Sequence, residues 1–195
     1  MEKRIILVTG TPCVGKTTLA TQLSAKLNGL YVNLTDLAKK EKLILREDKE
    51  RKSAVVNEEK MRKVLARVIG ETDKATVVVD GHYAAAVTPK DLVSRIFVLR
   101  RDPRELRGFM EKCGFSEAKM EENLEAEVLD VCLVEALREN EKSKICELDV
   151  TGKTPEQSLN QVLDVLDNLK ACGVGCVDWL GVLEKAGVLD NYLRT

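Results

Sequence analysis

Gly10-Thr11-Pro12-Cys13-Val14-Gly15-Lys16-Thr17 decides how this chain is read. The stretch fits G-x-x-x-x-G-K-[ST]. It follows Ile5-Ile6-Leu7-Val8-Thr9, an apolar run of the buried-strand type, and it opens a segment with helical spacing through Leu19, Leu23 and Leu27. Strand, loop and helix in that order are the context the motif requires. The glycines let the loop wrap tightly, so that successive N–H groups point inward at phosphates, and the helix N-terminus adds positive potential. Lys16 is placed to reach β- and γ-phosphates of ATP, and the Thr17 hydroxyl to ligate Mg²⁺. Gly10, Thr11, Pro12, Cys13, Val14, Gly15 and Thr18 complete the cradle.

Outward from this loop, apolar β-branched runs alternate with helical patterns. Strands are expected at 5–9, 30–34, 75–80, 95–99 and 144–150. Helices are expected from Lys16, from a Thr35 cap to about Leu43, from an Asn57 cap to about Ile69, and from Asp102-Pro103. One long helix is expected over 116–140, and another from Thr154-Pro155 to about Ala171. Fully apolar strands, each followed by a helix, imply an α/β fold: a five-stranded parallel sheet with helices on both faces. Residues 44–56 and 100–116 are irregular and read as flaps, and 177–195 as an amphipathic tail on a single domain spanning 1–195.

Composition agrees with a globular chain of 195 residues, 44% hydrophobic and 32% charged. Thirty-one basic against thirty-two acidic residues leave a net charge of −1, which disfavours strong direct binding of nucleic acid. No run approaches the ~18 apolar residues of a membrane span, so no membrane association is expected. The short apolar stretch behind Met1-Glu2-Lys3-Arg4 is not of the signal-peptide kind, and an intracellular, cytoplasmic protein is expected. The six cysteines are scattered without a C-x-x-C, only Cys172 and Cys176 are close in sequence, and there is one histidine. Free thiols are the expected state, with disulfides the exception known from intracellular proteins of hyperthermophiles.

Other residues carry chemistry. Val77-Val78-Val79-Asp80 ends a strand in an acid, as a carboxylate acting on Mg²⁺ would, directly or through water. His82, two residues on, is placed to orient an attacking water or acceptor. Arg100 ends the fourth strand and is the first choice for a cation over the transferring group, with Arg101, Arg104 and Arg107 following at helical spacing. Gly152-Lys153 leave another strand at the edge where α/β proteins bind ligands, and are candidates to line the purine.

Together these residues resemble a P-loop nucleoside monophosphate kinase, and more narrowly the archaeal branch of the adenylate kinase isoenzyme six family, also described as nuclear adenylate kinase or small-subunit ribosome-assembly ATPase. The resemblance rests on the phosphate loop, Asp36-Leu37-Ala38, Val79-Asp80-Gly81-His82, Val98-Leu99-Arg100, Gly114-Phe115-Ser116…Glu122-Asn123…Glu127 and Thr151-Gly152-Lys153-Thr154-Pro155-Glu156. It implies a three-layer P-loop NTPase fold with a monophosphate-side segment over 35–69, bearing Asp36 and Lys39, and a lid over 100–116. It implies ATP + AMP ⇌ 2 ADP with Mg²⁺, ATP hydrolysis tied to Asp80 and His82, and a partner, the small-subunit platform ribosomal protein of the S-eleven type.

The chain departs from that family at Cys13, where a glycine is usual, at Lys39, where relatives carry Arg, and at Phe109 and Cys113, where relatives commonly have lid arginines. These losses weaken phosphotransfer to AMP more than ATP binding. An ATP-switched assembly factor with little kinase activity and another small-molecule P-loop kinase therefore stand beside adenylate kinase. A GTPase is disfavoured by the lack of Asn-Lys-x-Asp. Glu121, Glu122, Glu125 and Glu127, with Glu135, Glu139 and Glu141, are expected to form an acidic face for a basic partner.

Overall fold

The computed structural model describes residues 3–48 and 53–193. In chain order its elements are β1 (Arg4–Gly10), α1 (Lys16–Lys26), β2 (Leu30–Asn33), α2 (Leu34–Lys40), β3 (Ile44–Asp48), β4 (Ser53–Val56), α3 (Glu58–Glu71), β5 (Thr76–Asp80), α4 (Ala84–Val87), β6 (Val93–Arg100), α5 (Pro103–Lys112), α6 (Glu117–Val128), α7 (Val131–Glu139), β7 (Ile145–Asp149), α8 (Pro155–Leu166) and α9 (Trp179–Lys185). The five expected strands form one parallel sheet in the order β2-β5-β1-β6-β7. Successive side chains of a strand face opposite ways. Ile5, Leu7, Val77, Val79, Ile96 and Val98 therefore build one core against α3, α4 and α7. Ile6, Val8, Val78, Phe97 and Leu99 build the other against α1, α5, α6 and α8.

The register sets the active edge. Val8 pairs with Asp80, Asn33 with Asp80, and Gly10 with Leu99, so β1, β2, β5 and β6 end together where the phosphate loop begins. Gly10 is required there. Its φ is +135°, and a β-carbon would stand 2.5 Å from the Leu99 carbonyl oxygen.

Several expectations change. The stretch 44–56 contains an antiparallel hairpin, β3–β4, apart from the main sheet. The helix expected to start at a Thr35 cap is α2, capped instead by Asn33, whose side chain accepts from the Asp36 N–H. The long helix over 116–140 is two, α6 and α7. They break at Asp130, which takes φ +56° and turns its carboxylate onto Arg100. An aspartate tolerates that left-handed backbone better than most residues, and the ion pair holds it there. The stretch 100–116 is no loose flap throughout, since Arg100, Arg101 and Asp102 are buried and α5 packs Leu106 and Met110 into the core. The expectation of free thiols fails at Cys146 and Cys172. They form a disulfide with Cα atoms 5.3 Å apart, tying β7 to the chain beyond α8, while Cys13, Cys113, Cys132 and Cys176 are free. The sequence-adjacent pair, Cys172 and Cys176, is not the one that bonds. No helix among the described residues is long and apolar enough to cross a membrane.

Candidate functional site

At the C-terminal edge of the sheet, Thr17 Oγ1 donates to Asp80 Oδ2 at 2.7 Å. The last residue of β5 thus meets the first turn of α1, as required of two groups that share one cation. Asp80 is only 1% exposed. Two further donors converge on the same oxygen, Tyr31 Oη at 2.9 Å and Asn33 Nδ2 at 2.9 Å. Three donors on Oδ2 leave Oδ1 to a cation, and a hard oxygen pair of hydroxyl and carboxylate suits Mg²⁺. Bound there, the ion would neutralise charge on the transferring phosphoryl group. Thr17 and Asp80 are the residues that would hold it.

Tyr31 and Asn33 were not singled out by the sequence. Their role comes from the register of β2 on β5. Asn33 has two jobs, since its carbonyl caps α2 while its amide holds Asp80. Its place just before a helix is the one signal in the sequence that pointed to it.

Lys16 lies across the loop, its ammonium donating to the Thr11 carbonyl at 2.8 Å. Burial lowers its pKa from the ordinary 10.5, opposed by nearby acidic groups including Asp80 and Glu127. The loop turns through Cys13 at φ +65° and Gly15 at φ +112°. The first angle explains why a glycine would be at home at position 13. The Cys13 thiol is pushed up to about 12, by burial first and then by Cys113 beside it. The thiol is protonated near pH 7.

Next to the loop, Cys13, Val14, Gly15, Lys16, Thr17 and Thr18 share a cavity of about 360 Å³ with Arg101, Phe109, Lys153 and Pro155. The Arg101 guanidinium stacks 4.6 Å over the Phe109 ring and pairs with Glu105. Its Nε is buried without a hydrogen-bond acceptor among the described residues. An apolar platform with a free guanidinium edge beside a phosphate cradle fits a nucleotide base. Lys153 lines this cavity. Gly152 does not, and its N–H donates to Glu105 at 2.9 Å.

His82 adjoins this centre. Its backbone carbonyl accepts from Thr9 Oγ1 at 2.9 Å. Crowding in the cleft, and then the Lys16 ammonium, lower its pKa from 6.5 to about 4, with Asp80 opposing. Water reaches much of the residue. The ring is neutral near pH 7.

Arg100 is placed elsewhere than the sequence suggested. It is 1% exposed and turned away from the cavity into a buried network. Its Nε donates to Glu127 at 2.9 Å and its Nη1 to Glu147 at 2.6 Å, and Asp130 takes the other end. A guanidinium so engaged is not available to a transferring phosphate. Glu127 likewise leaves the expected acidic face, being 2% exposed. Asp36 and Lys39 lie on the exposed surface of α2, outside the cavity.

Comparison with known proteins agrees with this geometry. Residues 6–130 match the family profile described as an AAA domain. A Pyrococcus furiosus protein named "Putative adenylate kinase" is 41% identical over 191 residues, covering 97% of each chain. One of the same name from Methanococcus maripaludis is 39% identical over 181 residues, covering 90% of this chain and 95% of its own. Among solved structures, shikimate kinase from Bacteroides thetaiotaomicron superposes with a TM-score of 0.56 at 18% identity, over 84% of this chain and 98% of that one. A gluconokinase from Sinorhizobium meliloti gives 0.55 at 14%, over 86% and 94%. These two share the fold. With the phosphate loop, the Thr17–Asp80 pair and relatives aligned over nearly their whole length, the chain belongs to the AAA-domain P-loop family, in the group of archaeal proteins that carry the adenylate kinase name.

Proposed function

We propose that the protein is an adenylate kinase, catalysing ATP + AMP ⇌ 2 ADP with Mg²⁺ in the cytoplasm, and hydrolysing ATP slowly when no acceptor is bound. The observation that carries this reading is the Thr17–Asp80 hydrogen bond beneath the phosphate loop, opening onto a base-sized cavity. In it, Lys16 exchanges the Thr11 carbonyl for β- and γ-phosphate oxygens. The loop from Gly10 to Thr18 supplies backbone N–H donors other than Pro12, which has none, and Val14, whose N–H is bonded to Thr11; Arg101 and Lys153 border the base, and Asp80 with Thr17 would hold the cation. His82, neutral and next to Asp80, is suited to orient the attacking oxygen. Asn33 joins Asp80 to α2, so Asp36 and Lys39 stand on the side where an acceptor monophosphate would enter. Residues 103–116 are then the closing element. The test measures AMP-dependent ADP formation against ATP hydrolysis without AMP. A rate unchanged by AMP removes the kinase reading and leaves the ATPase.

A second reading, an ATP-switched factor for a basic ribosomal protein of the small-subunit platform, gains from one feature. Leu129, just after α6, and Val131, Val134 and Leu137 along α7 are exposed, beside the acidic α6, where Glu121 is also exposed. Apolar surface flanked by acid suits a basic protein. Calorimetry of the purified pair at low salt, with and without ATP, decides it. No heat in either condition removes the partner.

A further inference from the structure

Glu127 makes more buried contacts than a structural salt bridge requires. One oxygen, Oε2, accepts from Thr11 Oγ1 at 2.5 Å, in the phosphate loop. The other, Oε1, accepts from Arg100 Nε at 2.9 Å, from the Arg101 N–H at 3.1 Å and from Trp179 Nε1 at 3.1 Å. Thr11 is also the residue whose carbonyl holds Lys16. A continuous path of hydrogen bonds therefore runs from the Lys16 ammonium through Thr11 and Glu127 to the indole of Trp179, the first residue of α9. The chain leading to α9 is fastened to the same network, because Gly175 and Cys176 donate their N–H groups to Glu147 Oε2 at 2.8 and 3.0 Å, and Glu147 pairs with Arg100.

We infer that Glu127 is a positioning residue of the phosphate loop, and that Trp179 latches the C-terminal segment to it, so that nucleotide occupancy and docking of that segment are coupled. The inference rests on the nucleotide reading of the site. Its physical basis is that Lys16 cannot hold the Thr11 carbonyl and the phosphates with the same proton. When the ammonium turns to a nucleotide, Thr11 loses a donor on its carbonyl while its hydroxyl stays bonded to Glu127, and the loop settles anew around that bond. A buried carboxylate with four donors adjusts as a unit, because weakening any one bond leaves charge uncompensated. The indole N–H is one of the four. Coupling is reciprocal, so a segment that feels the nucleotide also sets its affinity.

The single tryptophan makes this measurable in the full-length chain. Calorimetry with Mg²⁺ and ATP gives affinity, and Trp179 emission reports the latch. In the wild type, saturating ATP should shift or change the intensity of that emission. Thr11→Val removes the hydroxyl at nearly constant shape and should abolish the change, while Thr11→Ser should restore it. Trp179→Phe keeps the ring packed but removes the N–H, and should weaken ATP binding at least ~3-fold, a modest coupling by the usual scale. An emission change that persists in Thr11→Val, or wild-type affinity in Trp179→Phe, overturns the latch. Should Thr11→Val fail to fold, Trp179→Phe decides alone. Absence of ATP binding to the wild type overturns the nucleotide reading and the latch with it, and is distinguished by its lack of heat.

Discussion

On the phosphate-loop side, Thr11, Asp80, Arg100, Glu127 and Glu147 are buried and bonded to one another or to the loop. On the other side, along α2 and α3, the charged groups face water. There Lys63 pairs with Glu59 and Arg67 with Glu41 on the surface, and Lys39 is exposed. Both regions flank one sheet. The first holds its polar groups in place before charge develops, which lowers the cost of orienting them when it does. The second carries its charges on the surface, where water and salt screen them. On the proposed reading, the residues around the phosphate loop are fixed by the fold, while those assigned to the acceptor lie on the surface.

The largest test of this contrast is stability. Arg100→Ala leaves Glu127 and Glu147 buried without their cation and should cost about 3–5 kcal/mol in denaturant unfolding. Arg67→Ala on the acceptor side should cost about 0–1 kcal/mol. Equal costs would break the comparison.

Next is Lys16→Ala, expected to lower ATP affinity or turnover at least ~10-fold, about 1.4 kcal/mol, with the fold intact by circular dichroism. Unchanged hydrolysis would remove the phosphate-loop role.

The extent to which these residues could be read in advance follows from how each is determined. The strands are apolar runs bounded by turns, and the phosphate loop is a contiguous motif, so both are visible locally. The β3–β4 hairpin is not, because Ile44 and Val56 pair across a charged stretch without clean alternation. Arg100 and Glu127 look like surface charges in one dimension, and only the break at Asp130 folds them onto each other. Tyr31 and Asn33 act through strand register, which no local pattern specifies. Asp80 and Lys153 are singled out in the sequence because one ends a strand and the other follows one, at the edge where α/β ligands bind.

A smaller effect is expected at His82. His82→Ala should reduce ATP hydrolysis several-fold while ATP affinity stays within a few-fold; wild-type turnover would make it a bystander. Its pKa lies below the ordinary 6.5, so the fold favours the neutral ring. Any stability from this group is complete above pH 6.5 and is lost as the pH falls toward 4. The wild-type rate should accordingly stay level from pH 8 to about 6 and drop below about 5, while the His82→Ala profile lacks that drop.

The smallest effect sharpens the acceptor side. Cys113 is exposed and beside Cys13, so Cys113→Arg should bring a cation near the phosphates and raise AMP-dependent transfer a few-fold. Phe109→Arg should not, because it replaces the ring under Arg101 with a like charge. If both variants gain equally, the Arg101–Phe109 platform is not a binding surface.

The Cys146–Cys172 bond has a consequence for the chain as a connected object. It closes a covalent ring that contains Lys153, Pro155 and Ser158, all from the wall of the base cavity, whereas Trp179 lies outside it. A cut after Cys172 would release the latch and spare the ring. A cut within the ring would leave one covalently joined body that separates only on reduction. The disulfide answers to the redox state of its surroundings, whereas the inferred Trp179 latch would answer to the nucleotide.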